Sequence, residues 1–211
     1  MIAFLLLVAA YLIGAFPTSY LMGQWQGVDL RSQGSGNLGA TNVYRVLGFL
    51  PAVTVLGVDL LKGFIPVWFF TQWDGRGGTW ALGYGIAAIA GHVWPIYTKF
   101  RGGKGVATAA GTLLAVAPVA VTIAVFVWVG TLLLTRTASI ASLISATLIP
   151  ILANGAAAPR PVVLYALFLG LLVWWTHRAN LLRLIRRQEL QIHFGHRPER
   201  RGSEPDEEEA S

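Results

Sequence analysis

The sequence predicts an all-α protein that crosses a membrane several times. Three observations carry that expectation. Of the 211 residues, 55% are hydrophobic and only 12% are charged, about half the charge fraction of a soluble domain. Met1 to Gly23 is almost unbroken apolar sequence, long enough for the ~20 residues that a helix needs to cross hydrocarbon. Further apolar stretches follow, separated by short polar or proline-containing breaks.

No Lys or Arg precedes the first stretch, whereas Arg31 and Arg45 follow it. A secretory signal would open with a charged region and use a shorter apolar core, so this reads as an uncleaved span. Basic residues only on its far side place the N-terminus outside. The later spans are Phe49 to Phe70, Thr79 to Ile96, Ala107 to Leu134, Ser139 to Asn154 and Pro161 to Trp175. Counted so, six crossings put Lys99, Arg101 and Lys104 inside but the basic stretch Arg178 to Arg187 outside, against the charge rule. Splitting Ala107 to Leu134 at Pro118 removes the conflict. Seven transmembrane helices result, with the N-terminus out and the C-terminus cytoplasmic. The piece before Pro118 is then short, tilted or re-entrant.

Two regions are expected: a membrane-embedded body over 1–185 and a basic, then acidic, disordered cytoplasmic tail over 186–211. Five of the ten acidic residues lie between Glu204 and Glu209, so the body is more basic than the net charge of +6 suggests. Arg183, Arg186 and Arg187 form a strip suited to anionic lipid. The absence of Cys excludes disulfides, thiolate metal sites, Fe-S clusters and Cys nucleophiles.

In this topology three polar segments gather on the cytoplasmic side. The first contains Gly34-Ser-Gly36-Asn-Leu-Gly39, with Asp59 twenty residues further on. Nucleotide binding is nevertheless not expected, because a dinucleotide fingerprint needs a preceding strand and a βαβ unit. What remains is local chemistry. Gly36 and Gly39 let a ligand approach the backbone, Ser35, Asn37, Thr41 and Asn42 offer hydrogen bonds, and Arg45 adds positive charge. Such a segment opening a helix suits an anion, although a polar reversal capped by Thr41 or Asn42 would look the same.

The second segment, Phe100-Arg-Gly-Gly-Lys-Gly-Val-Ala-Thr108, places Lys104 among Gly102, Gly103 and Gly105. It is not a Walker A loop, since Thr98 stands where the first Gly belongs and Gly105 follows the Lys. Phosphate without nucleotide is the better reading, with a flexible positive-inside loop as its alternative. The third segment begins where the last span ends, with His177 and Asn180 on one helical face at i, i+3. A His beside an amide can move a proton or orient an oxyanion, or can simply be a wetted helix end. His92, between Gly91 and Pro95, is read either as part of the phosphate site or as bonding a carbonyl near the proline. No metal-ligand spacing unites the four His. Asp59 and Lys62, i, i+3 neighbours at membrane depth, form an ion pair that is structural or supports a site.

Together these segments resemble the bacterial acyl-phosphate:glycerol-3-phosphate acyltransferase family, integral membrane enzymes. The matching stretches are Ser35-Gly-Asn-Leu-Gly-Ala-Thr-Asn42, then Gly91-His92 with Pro95 and Phe100 to Thr108, then His177-Arg-Ala-Asn180 with Arg183-Leu184; Asp59-Leu-Leu-Lys-Gly63 also looks like the family's second span. The resemblance runs from about Phe16 to Leu184 and leaves out the charged tail. It implies seven helices and transfer of a fatty acyl chain from acyl phosphate to glycerol 3-phosphate, giving lysophosphatidic acid and phosphate, at the cytoplasmic face of the bacterial inner membrane. Acyl-CoA and acyl carrier protein are not the implied donors. A soluble enzyme that makes acyl phosphate becomes a partner, with membrane lipids; no cofactor, metal or nucleic acid is implied. Lys104, His177 and Asn180 become the catalytic candidates, with a donor phosphate oxygen taking the proton from the attacking hydroxyl. An activated mixed anhydride needs no covalent enzyme intermediate. A small-anion transporter would also aim helix N-termini at phosphate, but clustering of the three segments on one side argues against it. A purely structural membrane subunit would make that clustering coincidence.

Overall fold

The computed structural model describes residues 2–74 and 78–194, with backbone alone for 78 and 79. Among them are ten α-helices, one short 3-10 turn over Ile96–Thr98, and no strand. The helices are α1 (Ile2–Ala15), α2 (Thr18–Trp25), α3 (Ala40–Leu47), α4 (Phe49–Trp73), α5 (Gly78–Val93), α6 (Val106–Val116), α7 (Pro118–Thr135), α8 (Ala138–Gly155), α9 (Arg160–Thr176) and α10 (Arg178–Ile185).

The first apolar stretch, expected as one span, is two helices broken at Phe16-Pro17. Pro17 has no amide with which to continue α1. At the break the Phe16 carbonyl accepts both the Thr18 amide at 3.0 Å and the Lys62 ammonium at 3.2 Å. Length and composition qualify Ile2–Trp25, α4, α7 and α8 to cross a membrane, and a fifth crossing if α9 and α10, bent by 56° at His177, count as one. The seven expected crossings would also need α5 and α6, which at 16 and 11 residues are shorter. The split at Pro118 is present. Ala117 adopts φ −146° and ψ 59°, outside the helical region that a following proline disfavours, and Pro118 opens α7 where its missing amide is harmless.

Glycine sets the spacing of the bundle. A Cβ at Gly14 would lie 1.9 Å from the Ala88 carbonyl oxygen, and one at Gly91 2.1 Å from that of Tyr11, so α1 and α5 meet backbone to backbone. Gly63 against Thr108 and Gly111 against Leu60 bring α4 and α6 equally close. Small residues at helix contacts are the packing that lipid rewards, because burying Leu inside gains nothing over leaving it in acyl chains. Large apolar side chains accordingly point outward, Phe126 at 72% and Leu171 at 62% exposure.

The expected tail departs from the body later than composition suggested. Past α10 the chain turns back, and Arg45 donates to the Leu190 carbonyl at 2.9 Å while the Ile192 amide donates to the Arg136 carbonyl at 2.7 Å. Ile192 is buried at 5% exposure. Residues 186–194 therefore lie against α3 and the α7–α8 turn. The charge run hid this, since backbone groups and one apolar side chain can dock an extended segment whatever its other side chains are. The rest of the expected tail, 195–211, is outside the described residues.

Candidate active site

The site assembles where three chain segments meet at one end of the bundle. The Gly-rich turn before α6 delivers Lys104, the α9–α10 bend delivers His177 and Asn180, and the returning segment after α10 delivers Glu189. Gly105, with φ +80°, takes the left-handed conformation that lets the turn enter α6 directly. Thr176 fixes the turn from α9, its hydroxyl donating to the Lys104 carbonyl at 3.1 Å.

Lys104 donates its ammonium to Oδ1 of Asn180, and Nδ2 of Asn180 donates to Oε1 of Glu189. The orientation of the Asn180 amide follows from chemistry, since one neighbour can only donate and the other, ionised, can only accept. Glu189 also accepts from Ser139 at 3.0 Å and from Arg183 at 2.8 Å. Three cations, Lys104, Arg45 and Arg183, thus surround one carboxylate, leaving the site positive. Burial pulls the Lys104 ammonium down to about 8, with Glu189 opposing and Arg183 and Arg45 adding to the effect. Burial likewise lowers Arg45 from its ordinary value, against the pull of Glu189. For Glu189, burial acts upward, but hydrogen bonds from Asn180, Arg183 and Ser139 outweigh it and hold the carboxyl below the usual range.

His177 occupies the bend itself and is 3% exposed. Its Nδ1 lies 2.8 Å from the Val173 carbonyl. A carbonyl only accepts, so that nitrogen carries the proton and Nε2 is left as the acceptor. The single helical face expected for His177 and Asn180 is in fact split by the 56° bend, which still buries both.

Other expected site residues do different work. Asn42 is 1% exposed, and its amide is saturated by the Ser35 amide and the Leu30 and Gln33 carbonyls. It holds the first Gly-rich loop in shape and has no N–H left to donate to a phosphate. Gly34 permits this, since a Cβ there would sit 2.3 Å from the Asn42 oxygen. Thr108 lies inside the α4–α6 contact at 0% exposure, away from the turn. His92 packs against Gly102 and Gly103 of the Gly-rich turn. Its carbonyl accepts the Gly103 amide at 3.1 Å, and its ring stands 3.8 Å from Asp59, which pairs with Lys62 at 2.9 Å. These three buried groups prop the turn from beneath.

Gly103 is wedged between His92 and Leu38, so the two Gly-rich segments touch. Ser35, Gly36, Asn37, Gly39 and Thr41, flanking Leu38 in sequence, are each partly exposed. Arg45 joins the site through the returning segment, where it donates to Leu190. Glu189 and Ser139 were missed from sequence: one was assigned to the tail, the other to the start of a span. A lone acid shortly after Arg183, Arg186 and Arg187 was the available signal.

Fold and site together define a polytopic membrane protein with a buried cationic site built from glycine turns at one end of its bundle, suited to phosphate. The family described as Glycerol-3-phosphate acyltransferase matches residues 4–187, and the chain belongs to it. A glycerol-3-phosphate acyltransferase of Halalkalibacterium halodurans is 42% identical over 190 residues, 87% of this chain and 92% of the relative. One of Pseudomonas paraeruginosa is 45% identical over 190 residues, 88% and 97%. Among solved structures, PlsY (YgiH), an integral membrane glycerol 3-phosphate acyltransferase, matches in its glycerol 3-phosphate form with a TM-score of 0.86 at 37% identity, covering 90% of this chain and 96% of that one. Its lysophosphatidic acid form matches with a TM-score of 0.83 at 36% identity, covering 90% and 95%.

Proposed function

We propose that the chain transfers a fatty acyl group from acyl phosphate to glycerol 3-phosphate, with its site facing the cytoplasm from a seven-crossing bundle in a bacterial inner membrane. The observation that carries this reading is the Lys104–Asn180 pair beside His177, a buried cationic cluster bordered by two glycine-lined segments. Both substrates are phosphate esters or anhydrides. Lys104 has three N–H groups, and Asn180 takes one among the described residues, so two can meet a phosphate.

In the proposed reaction the glycerol hydroxyl oxygen attacks the acyl carbonyl carbon and a new ester bond forms. The bond from that carbon to the bridging phosphate oxygen breaks, and phosphate leaves with the electron pair. A phosphate oxygen of the donor takes the hydroxyl proton. Lys104 and the glycine amides balance the departing charge. Asn180 and the free Nε2 of His177 orient glycerol 3-phosphate, so positioning supplies much of the rate. The donor is already activated, which fits a chain without Cys. A small-anion transporter is not favoured, because the family is one of acyltransferases.

The test offers purified protein acyl phosphate, acyl-CoA and acyl carrier protein thioester as competing donors. Lysophosphatidic acid should form from acyl phosphate alone. Equal rates with a thioester would overturn the donor assignment.

A further inference from the structure

The end of the bundle that carries the site also carries aromatic and basic side chains that the proposed reaction leaves unused. Trp175, in the last turn of α9, and Trp94, directly after α5, place their rings 5.7 Å apart, and both are exposed, at 47% and 40%. Indoles at the ends of apolar helices mark the level where hydrocarbon gives way to headgroups. Arg178 opens α10 across the 56° bend and lays its guanidinium over Trp175, 4.4 Å from the ring centroid. Its Nη1 donates to the Trp175 carbonyl at 3.1 Å. Ring and carbonyl together hold the planar fork in one orientation, and its other N–H groups have no protein acceptor among the described residues.

The turn that leads from Trp94 toward the glycines adds two more cations. Within it the Phe100 amide donates to the Pro95 carbonyl at 2.9 Å and the Arg101 amide to the Thr98 carbonyl at 3.2 Å. Lys99 and Phe100 take φ of +54° and +60°, a left-handed backbone that is uncommon outside glycine. Lys99, Phe100 and Arg101 are all exposed. No ion pair among the described residues includes Lys99, Arg101 or Arg178, so three exposed cations stand beside two indoles without a carboxylate to balance them.

We infer that this patch binds an anionic phospholipid of the surrounding leaflet, with its phosphate on Arg178 and its glycerol and upper acyl chains against Trp175 and Trp94. Two unbridged phosphate oxygens match the free edge of a guanidinium. A water-soluble anion would leave the exposed indoles uncovered, and a zwitterionic lipid brings a cation of its own that the three basic side chains repel. Arg178 lies between His177 and Asn180 in sequence, so a lipid held there steadies the bend that carries both. The inference needs a membrane-embedded bundle and is independent of which acyl donor the site uses.

The experiment titrates dioleoyl phosphatidylglycerol and dioleoyl phosphatidylcholine separately into the full chain in neutral detergent and counts bound lipid by native mass spectrometry. The glycerol lipid should bind more tightly. Arg178→Gln should weaken it by about fivefold, the loss expected for one cation at an anionic lipid. Trp175→Leu keeps every charge but removes the platform, and should weaken it by about two- to fivefold; it serves if the Arg178 variant does not fold. Arg160→Gln removes an exposed cation at the other end of α9 and should change nothing. Glycerophosphoglycerol, the same headgroup without chains, should not compete. Equal affinity for the two lipids, an unchanged affinity in both the Arg178 and Trp175 variants, or an equal loss in Arg160→Gln would each overturn the inference. Competition by the chain-free headgroup would do so too, by making the patch a site for a soluble anion.

Discussion

The ammonium of Lys104 and the side-chain oxygen of Asn180 are hydrogen-bonded across 76 residues of sequence. The bond joins the turn that opens α6 to the short helix that follows the last long one. Lys104→Ala should abolish turnover while leaving the bundle folded, because the residue sits in a turn and its head group packs no core. Lys104→Arg should retain little activity, since a planar fork does not replace a compact ammonium in a tight turn. Product formation by purified variants checks both, and a near-normal rate for Lys104→Ala would remove it from the site.

The depressed value of Lys104, about 8, fixes an alkaline limb. The free enzyme loses this charge as pH rises through 8, so kcat/KM should fall there. A bound phosphate favours the ammonium, so the limb in kcat should lie at higher pH. Profiles of both constants across pH 6 to 10 would show the separation, and coincident limbs would mean that Lys104 does not contact phosphate. On the acid side the Glu189 carboxylate contributes stability that is present above its ordinary value and lost as pH falls through its lowered one.

Asn180→Ala should remove a fixed hydrogen-bonding group and lower kcat by roughly 10² to 10³, about 3 to 4 kcal/mol. Arg186→Ala, exposed on the strip beyond α10, should change little. Glu189→Gln disturbs the same amide from the other side, so the double variant with Asn180→Ala should be no worse than Asn180→Ala alone. Additive losses would show that Glu189 acts elsewhere.

Asp59→Ala should destabilise the protein by about 3 to 5 kcal/mol, because Lys62, 6% exposed, would keep only the Phe16 carbonyl. Thermal unfolding in detergent reads this directly. A transition temperature equal to that of the unaltered protein would mean that the pair is dispensable.

Topology is open to a separate test. Reporter fusions after Arg187 should fluoresce in the cytoplasm and show no alkaline phosphatase activity. The reverse result would remove α6 from the set of crossings.

The sequence disclosed those features that rest on a local chemical rule. Pro118 ends the preceding helix and opens α7, although Pro66 and Pro150 are carried inside α4 and α8, and the run of glycines around Lys104 can hardly be anything but a turn. Pro17 obeys the same rule, yet its break was passed over because apolar residues continue on both sides. Asn42 shows a different limit: its residue type announces hydrogen bonds, but whether they serve a ligand or the loop depends on Leu30 and Gln33 coming within reach. His92 packs against the glycine turn while Lys104 reaches from it to Asn180, and nothing linear distinguishes the two roles. Glu189 was obscured by its neighbours, because average charge over a window conceals one carboxylate with three donors waiting for it elsewhere in the chain.

The return of residues 188–194 over the bundle also sets an order of events during biogenesis. Translation proceeds from the N-terminus, so Glu189 emerges after every apolar helix described here has been made. Asn180 therefore cannot acquire its carboxylate partner while any of those helices is still being synthesised. A chain ending at Ile185 would keep Lys104, His177 and Asn180 but would lack the carboxylate that fixes the rotation of the Asn180 amide.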